Sequence, residues 1–339
     1  MKAKILLAGT SVLFAAPLWA DTLTINSFGG AYEEAHRACV IDPFTAATGA
    51  DVSIVTAYSA DAFAQLRAQK DAPQFDVIHF SGGQEIVGAK EGLLAPVDPA
   101  KLENIDQLYD IAKPNLAAGE GPAYSIAPVG ILANSEAAEA PVSWAAMMKD
   151  ADASHMVLTD ISNGYGMLGF LMMNQVAGGS MEDIQPGLDA VTDLLERGTV
   201  IVSTSPEIQQ EFAQNEAWVA PYAADYAFTL QQAGLPISFV NPEEGLPGSF
   251  ITASIVAGRD NGDLAHRFLD IEISKAAQEC MAQALRYTPT NREAELPEDV
   301  ASTMVVGEEA VAKLIRFDPT TIEAKRSEWV DAWNRTIAR

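Results

Sequence analysis

The chain has 339 residues, 48% of them hydrophobic, and sets 46 acids against 21 lysines and arginines for a formal charge of -25. That length and apolar content suffice for two globular units with separate cores, and the negative field excludes nucleic acid and anionic lipid headgroups as partners. Net charge decides solubility and partners; it does not decide the fold.

Residues 1–20, MKAKILLAGTSVLFAAPLWA, place Lys2 and Lys4 ahead of an apolar run that ends in small and aromatic residues at Ala20. This is the layout of a secretory signal peptide, with cleavage expected after Ala20. The run is interrupted by Gly9, Thr10 and Ser11 and is shorter than the roughly 20 apolar residues that a membrane span needs. Cleavage would remove two lysines and no acid, making the exported, periplasmic chain more negative still. An exported chain with only Cys39 and Cys280 suggests one disulfide, the alternative being two buried thiols.

TLTINSF alternates as a strand does, and Gly29-Gly30 leads into AYEEAHRACVIDPFTAATG, whose apolar spacing predicts a helix closed by Gly49. DVSIVTAY reads as a strand, SADAFAQLRAQKD as a helix with Ser59 or Asp61 at its start, and FDVIHF as a short buried strand. Alternating strands and helices imply a parallel sheet. SGGQEIVGAKEGLL repeats the opening device of strand, two glycines, helix. From PAYSIAPVGILANSE, with Pro122 and Pro128, paired strand-like runs predict a crossover into a second lobe. That lobe repeats the α/β pattern, FITASIVAG reads as the strand crossing back, and the stretch carrying Cys280 as a long amphipathic helix. Two further helices are expected in the tail, where Trp329 and Trp333 share a face as docking residues.

No G-x-S-x-G, H-E-x-x-H or Walker-type loop is present, SFGGAYE fails the dinucleotide spacing, and His36, His79, His155 and His266 stand singly in the sequence. No catalytic residue, metal or cofactor is expected. What remains is a binding pattern. In open α/β sheets ligands sit beyond the carboxyl ends of strands, where glycines admit a close approach and free helix-start N–H groups favour an acceptor. SFGGAY and FSGGQE offer that arrangement twice, while ISNGYG and APYAADYAF border turns with aromatics able to stack on a flat or cationic group.

LTINSFGGAYEEA, LRAQKDAPQFDVIHFSGGQEIVGAKEGLLAPVD, PVSWAAMM, QQAGLPISFVNPEEG and RYTPTNREA, in that order, resemble the extracellular solute-binding proteins of ABC importers, in the group containing spermidine/putrescine-binding proteins. The resemblance implies an α/β, two-lobed type II periplasmic-binding-protein fold. In it each lobe is a mostly parallel sheet flanked by helices, and a solute is trapped between the lobes by hinge closure and delivered to an inner-membrane ABC permease. It divides the chain into a leader (1–20), lobe 1 (21–126), lobe 2 (127–248), a return to lobe 1 (249–300) and C-terminal helices packing on the lobes (301–339). A monomer is expected.

Polyamine binders hold ammonium groups with carboxylates and methylenes with aromatics. LTDISNGYG places Ile161 and Gly164 where the resemblance implies two acids, and SFITAS places Phe250 and Thr252 where it implies a tryptophan and an aspartate; Tyr287 keeps its aromatic. The polyamine acids are therefore missing, and the expected solute is a small organic compound of polyamine-importer type or a related amino or carboxylate compound. The site expected is Phe28, Tyr32, Ser81, Gly82, Gln84, Asn163, Tyr165, Tyr222, Asp225, Tyr226, Phe250, Thr252 and Tyr287. In this reading the aromatics sandwich the solute, Ser81, Gln84, Asn163 and Thr252 supply hydrogen bonds, and Asp225 receives a cationic group. Gly29, Gly30 and Gly83 shape the loops, and Cys39 and Cys280 are expected to join within the first lobe. The competing readings are a ferric-ion binder, a ligand sensor and, last, an enzyme on the same scaffold.

Overall fold

The computed structural model describes residues 21–137 and 139–338, so the expected leader lies outside the described residues. Its strands, in chain order, are β1 (Thr22–Ser27), β2 (Asp51–Thr56), β3 (Val77–Phe80), β4 (Ala123–Asn134), β5 (Val157–Thr159), β6 (Val200–Val202), β7 (Val219–Ala223), β8 (Ile237–Val240), β9 (Gly248–Ile255) and β10 (Thr288–Pro289).

β1 buries Leu23 and Ile25 two apart, as a half-covered strand should. The helical stretch after it runs Gly30–His36, a π turn at Arg37–Ile41, and Asp42–Thr48, closed by Gly49 in the left-handed region. Pro43 has no N–H to donate one turn back, and the ladder opens into a π turn just before it. β1 pairs in parallel with β2 on one side and β3 on the other. Beyond β3 the sheet turns antiparallel, in the order β3, β9, β4, β10.

PAYSIAPVGILANSE, read as paired runs, is one strand instead. All twelve residues of β4 are buried. Its first half pairs with β9 and β10, and its second half, from Val129, with β7 and β8. Pro128 falls where the partners change, opposite Gly248 of β9, so its missing N–H interrupts a seam and leaves the ladders on either side whole. β5 and β6 pair in parallel, and a parallel bridge from Met156 to Val219 sets them beside β7. The large sheet is thus mixed, parallel where strand and helix alternate and antiparallel along β4 and β9, while β5 and β6 form a small parallel sheet.

Two cores follow from this division. Leu23, Ile25, Phe44, Tyr124, Phe268 and Met281 fill one; Ile131, Trp144, Met167, Phe170, Tyr222 and Trp333 fill the other. Cys39 and Cys280, 241 residues apart, are bonded, with their Cα atoms 5.5 Å apart. The late helices Gly262–Glu272 and Lys275–Leu285 therefore return to the first lobe. The last helix, Pro319–Ile337, inserts Ile322, Trp329 and Trp333 into the second core. Its first residue reaches the first lobe, where a Cβ at Gly83 would stand 2.3 Å from that of Pro319. No helix among the described residues is long and apolar enough to cross a membrane.

Candidate functional site

The carboxyl ends of β1, β2 and β3 build one wall. Phe28 follows β1, Tyr58 follows β2, and Ser81-Gly82-Gly83 follows β3. Phe28 lies parallel to Tyr58 at 6.4 Å and against Tyr32 at 4.8 Å. Tyr58 is 67% exposed, so its ring stands open on this wall. Tyr32 is anchored by its hydroxyl, which bonds that of Tyr124. Ser81 is tied down on both sides, its N–H donating to Ser59 Oγ at 2.9 Å and its carbonyl accepting from Ser249 Oγ at 2.8 Å. Gly83 holds φ at 83°, a conformation that glycine adopts without cost, and begins the helix Gln84–Lys90.

β5, β6 and β7 build the opposite wall by the same rule. Asn163, ahead of the helix Gly164–Val176, accepts from the N–H groups of Tyr165 and Gly166. Its oxygen therefore caps the helix, and its amide reaches Tyr222 Oη at 3.4 Å. Tyr222 closes β7, meets Tyr165 edge-on at 5.2 Å and Tyr226 at 5.3 Å, and bonds Ser205 Oγ at 2.7 Å. Tyr226 donates to the Ser205 carbonyl.

Asp225 lies in the first turn of the helix Ala224–Gln232, between these tyrosines. Its Oδ1 is out of solvent and has no hydrogen-bond partner. Burial pushes its carboxyl up to about 7, against the stabilising pull of its own backbone N–H. The charge is felt across the gap. Tyr287, in the first lobe, is held protonated by burial and then by Asp225, and Tyr165 likewise. Burial, with Tyr222 and Asp225 beside it, pushes Tyr226 up to about 12. The result is a buried carboxylate ringed by neutral phenols from both lobes. A ferric site would ask these phenols to ionise beside a carboxylate in a dry setting, which their surroundings oppose.

A small cavity of about 50 Å³ opens between the lobes near this cage. Ser81, Gly82 and Phe250 of the expected residues line it, with Gly164, Ser249, Glu85, Arg316 and Arg326. Thr252 sits within β9 between Phe80 and Ala123 at 1% exposure, inside the sheet and away from the cavity lining. The Gln84 side chain folds over Gly82. Ile161, where the resemblance implied an acid, is a core residue, whereas Gly164 lines the cavity.

Two histidines that stand singly in the sequence meet in space. His36 Nε2 and His79 Nε2 lie 2.8 and 3.0 Å from the same oxygen of Glu272, all three fully buried. His79 Nδ1 donates to the Asn26 carbonyl, fixing a proton there. Burial lowers His36 and keeps it neutral, while Glu272, which burial alone would raise, is held down to about 2 by His79 and by both hydrogen bonds. The three side chains converge on one Glu272 oxygen beneath Tyr32 and Tyr124, while His36 Nδ1 and the other Glu272 oxygen are buried without a partner, and their ligand atoms lie within 4.8 Å of one another, a set that could hold a metal ion.

Sequence reasoning missed Tyr58, Ser205, Glu85, Arg316 and Arg326. Tyr58 and Ser205 follow β2 and β6, so the strand-end rule would have found both had it been applied to every strand and not only to glycine pairs. Glu85 is two residues beyond the glycines, and the two arginines arrive from the tail with no local signal.

The bacterial extracellular solute-binding protein family model matches residues 40–305. The chain is 26% identical over 271 residues to "Spermidine/putrescine-binding periplasmic protein 1" of Haemophilus influenzae, covering 77% of this chain and 74% of that one. Among solved structures it is similar to an ABC transporter protein from Clostridium perfringens, with a TM-score of 0.80, 24% identity, and 93% and 99% of the two chains covered. It is also similar to the Atu4243-GABA receptor, with a TM-score of 0.78, 19% identity, and 93% and 97% covered.

Proposed function

The chain belongs to the bacterial extracellular solute-binding family, and from that premise we propose that it captures an amine-bearing organic solute between its lobes. It is the periplasmic solute-binding component of an ABC importer, works as a non-enzymatic monomer, and hands its solute to an inner-membrane permease. Segments 21–126 and 249–300 act as one jaw and 127–248 as the other.

One observation carries the choice of solute: the buried, unpartnered Oδ1 of Asp225, ringed by Tyr165, Tyr222, Tyr226 and Tyr287. A desolvated carboxylate without a partner is costly, and an ammonium resting on tyrosine faces would repay that cost through both charge pairing and cation–π contact. Phe28, Tyr32 and Tyr58 cover the solute from the first lobe, while Ser81 and Gly82 approach it with backbone. The similarity to a spermidine/putrescine-binding protein supports an amine. A single carboxylate in the cage favours one ammonium there.

The test is thermal unfolding of the refolded, ligand-stripped protein against primary amines, amino acids, sugars, carboxylates and ferric citrate. A solute that binds only the native state raises Tm with concentration. Amine-bearing solutes are expected to do so and sugars or simple carboxylates are not; stabilisation by sugars or carboxylates alone would overturn the reading.

A further inference from the structure

The cavity beside the cage has a chemistry opposite to that of the cage. Arg316 and Arg326 both line it, two of only 21 basic side chains in a chain with 46 acids. The arginines stay charged at any working pH. Glu85 is the acid among the lining residues.

Arg316 is under-used by its own lobe. Its guanidinium lies over the Phe250 ring at 4.7 Å and spends one N–H on the Ile111 carbonyl at 3.3 Å. Glu85 Oε1 stands at 3.9 Å, beyond hydrogen-bond reach. A guanidinium offers five N–H donors in a planar fork suited to a carboxylate, so most of that fork faces the cavity. Arg326 is shared with Glu323 at 3.5 Å on its own helix, which leaves Arg316 as the main cation. Glu85 Oε2 has no partner, and burial pushes the carboxyl up to about 7, with Arg316 opposing and Glu120 adding to the rise. Near neutral pH much of Glu85 is therefore a neutral hydrogen-bond donor.

The cavity and the cage are neighbours on both walls. Gly164 lines the cavity and the next residue, Tyr165, belongs to the cage. On the first-lobe side Ile126 of β4 pairs with Phe250 on one flank and Thr288 on the other. Phe250 and the strand that begins beside Tyr287 are thus two strand spacings apart, about 10 Å.

We propose that the solute carries an anionic group opposite its ammonium, received by Arg316 in this cavity, so that the class bound is an amino acid with separated charges and not a diamine. This rests on Asp225 receiving the ammonium. Amino acids with roughly three to five carbons between the charges, making a hydrogen bond at each end, are the size class to be tested. A protein this negative repels anions at long range, so an anionic end is held only where arginine is supplied locally.

The test uses isothermal titration of the ligand-stripped protein with matched pairs: 4-aminobutanoate against 1,4-diaminobutane, and 5-aminopentanoate against 1,5-diaminopentane. Wild type is expected to bind an amino acid of the set at least about tenfold tighter than its matched diamine. Arg316→Gln is expected to abolish that preference by weakening the amino acid alone, and Arg316→Lys to restore part of it. Equal or tighter binding of the diamine overturns this inference while leaving Asp225 as the ammonium site. Binding of simple carboxylates with no amine overturns both. The wild-type comparison decides the matter even if Arg316→Gln fails to fold.

Discussion

Asp225 and Glu272 are buried carboxylates with opposite fates. Glu272 offers one oxygen to two histidines, keeps the other buried without a partner, and sits at about 2. It was protonatable near 4.5 before folding, so its stabilisation is complete above that value and is lost as pH falls from about 4.5 towards 2. Glu272→Gln removes the charged acceptor that His36 and His79 share and is expected to cost about 1–3 kcal/mol in chemical denaturation at pH 7. Asp225 has no such partner and sits at about 7, raised from 3.8. Between those values the folded protein holds a proton that the unfolded chain has released, so the unliganded protein loses stability as pH rises through that window. Asp225→Asn is expected to raise the unliganded stability at pH 8 by on the order of 2 kcal/mol, with little effect at pH 4, measured by urea denaturation. The residue is a functional expense that the solute is built to offset.

At the scale of elements, much of the fold could be read in advance. The strand, glycine pair and helix at Gly29-Gly30 and at Gly82-Gly83 announced themselves because Gly29, Gly30 and Gly83 hold the left-handed φ that glycine adopts without cost, and Trp329 and Trp333 read correctly because an i, i+4 pair shares a helix face. Other elements stayed hidden where the deciding partner is distant in sequence. β4 looked like two runs because Pro128 breaks its pattern, yet the break is a change of partners. His36 and His79 looked solitary because Glu272 joins them only after the chain returns. Among the site residues, Asp225 and its tyrosines were legible from one short stretch at a strand end, whereas Arg316 depends on the tail folding back over Phe250. Two variants probe these elements. Gly83→Ala sets a Cβ against Pro319 at a φ that alanine resists, and is expected to cost about 1–3 kcal/mol by thermal unfolding. Cys39→Ser with Cys280→Ser frees the late helices from the first lobe and is expected to cost about 2–5 kcal/mol in the same assay.

The whole molecule is two cores joined by strands that belong to both. β4 runs through both cores and the last helix touches each lobe, so in the proposed reading they form the spine about which two jaws close, each offering the carboxyl ends of its parallel strands. Contacts between the jaws include the Arg286 guanidinium over the Phe228 ring at 4.1 Å and Tyr165 beside Tyr287. A solute bridging Asp225 to the first-lobe aromatics would add the missing attraction, and small-angle scattering is expected to show a smaller radius of gyration on saturation with a binding amine.

The most direct test of the account is the pH dependence of amine binding by wild type and Asp225→Asn, measured by titration calorimetry on ligand-stripped protein from pH 5 to 8. Asp225 must give up its proton to receive an ammonium, so wild-type affinity is expected to rise about tenfold per pH unit up to about 7 and then level off. Asp225→Asn is expected to bind at least about 100-fold more weakly with no such slope. A variant that binds the amine as tightly as wild type, with the same pH profile, would contradict the claim that this carboxylate is the heart of the site.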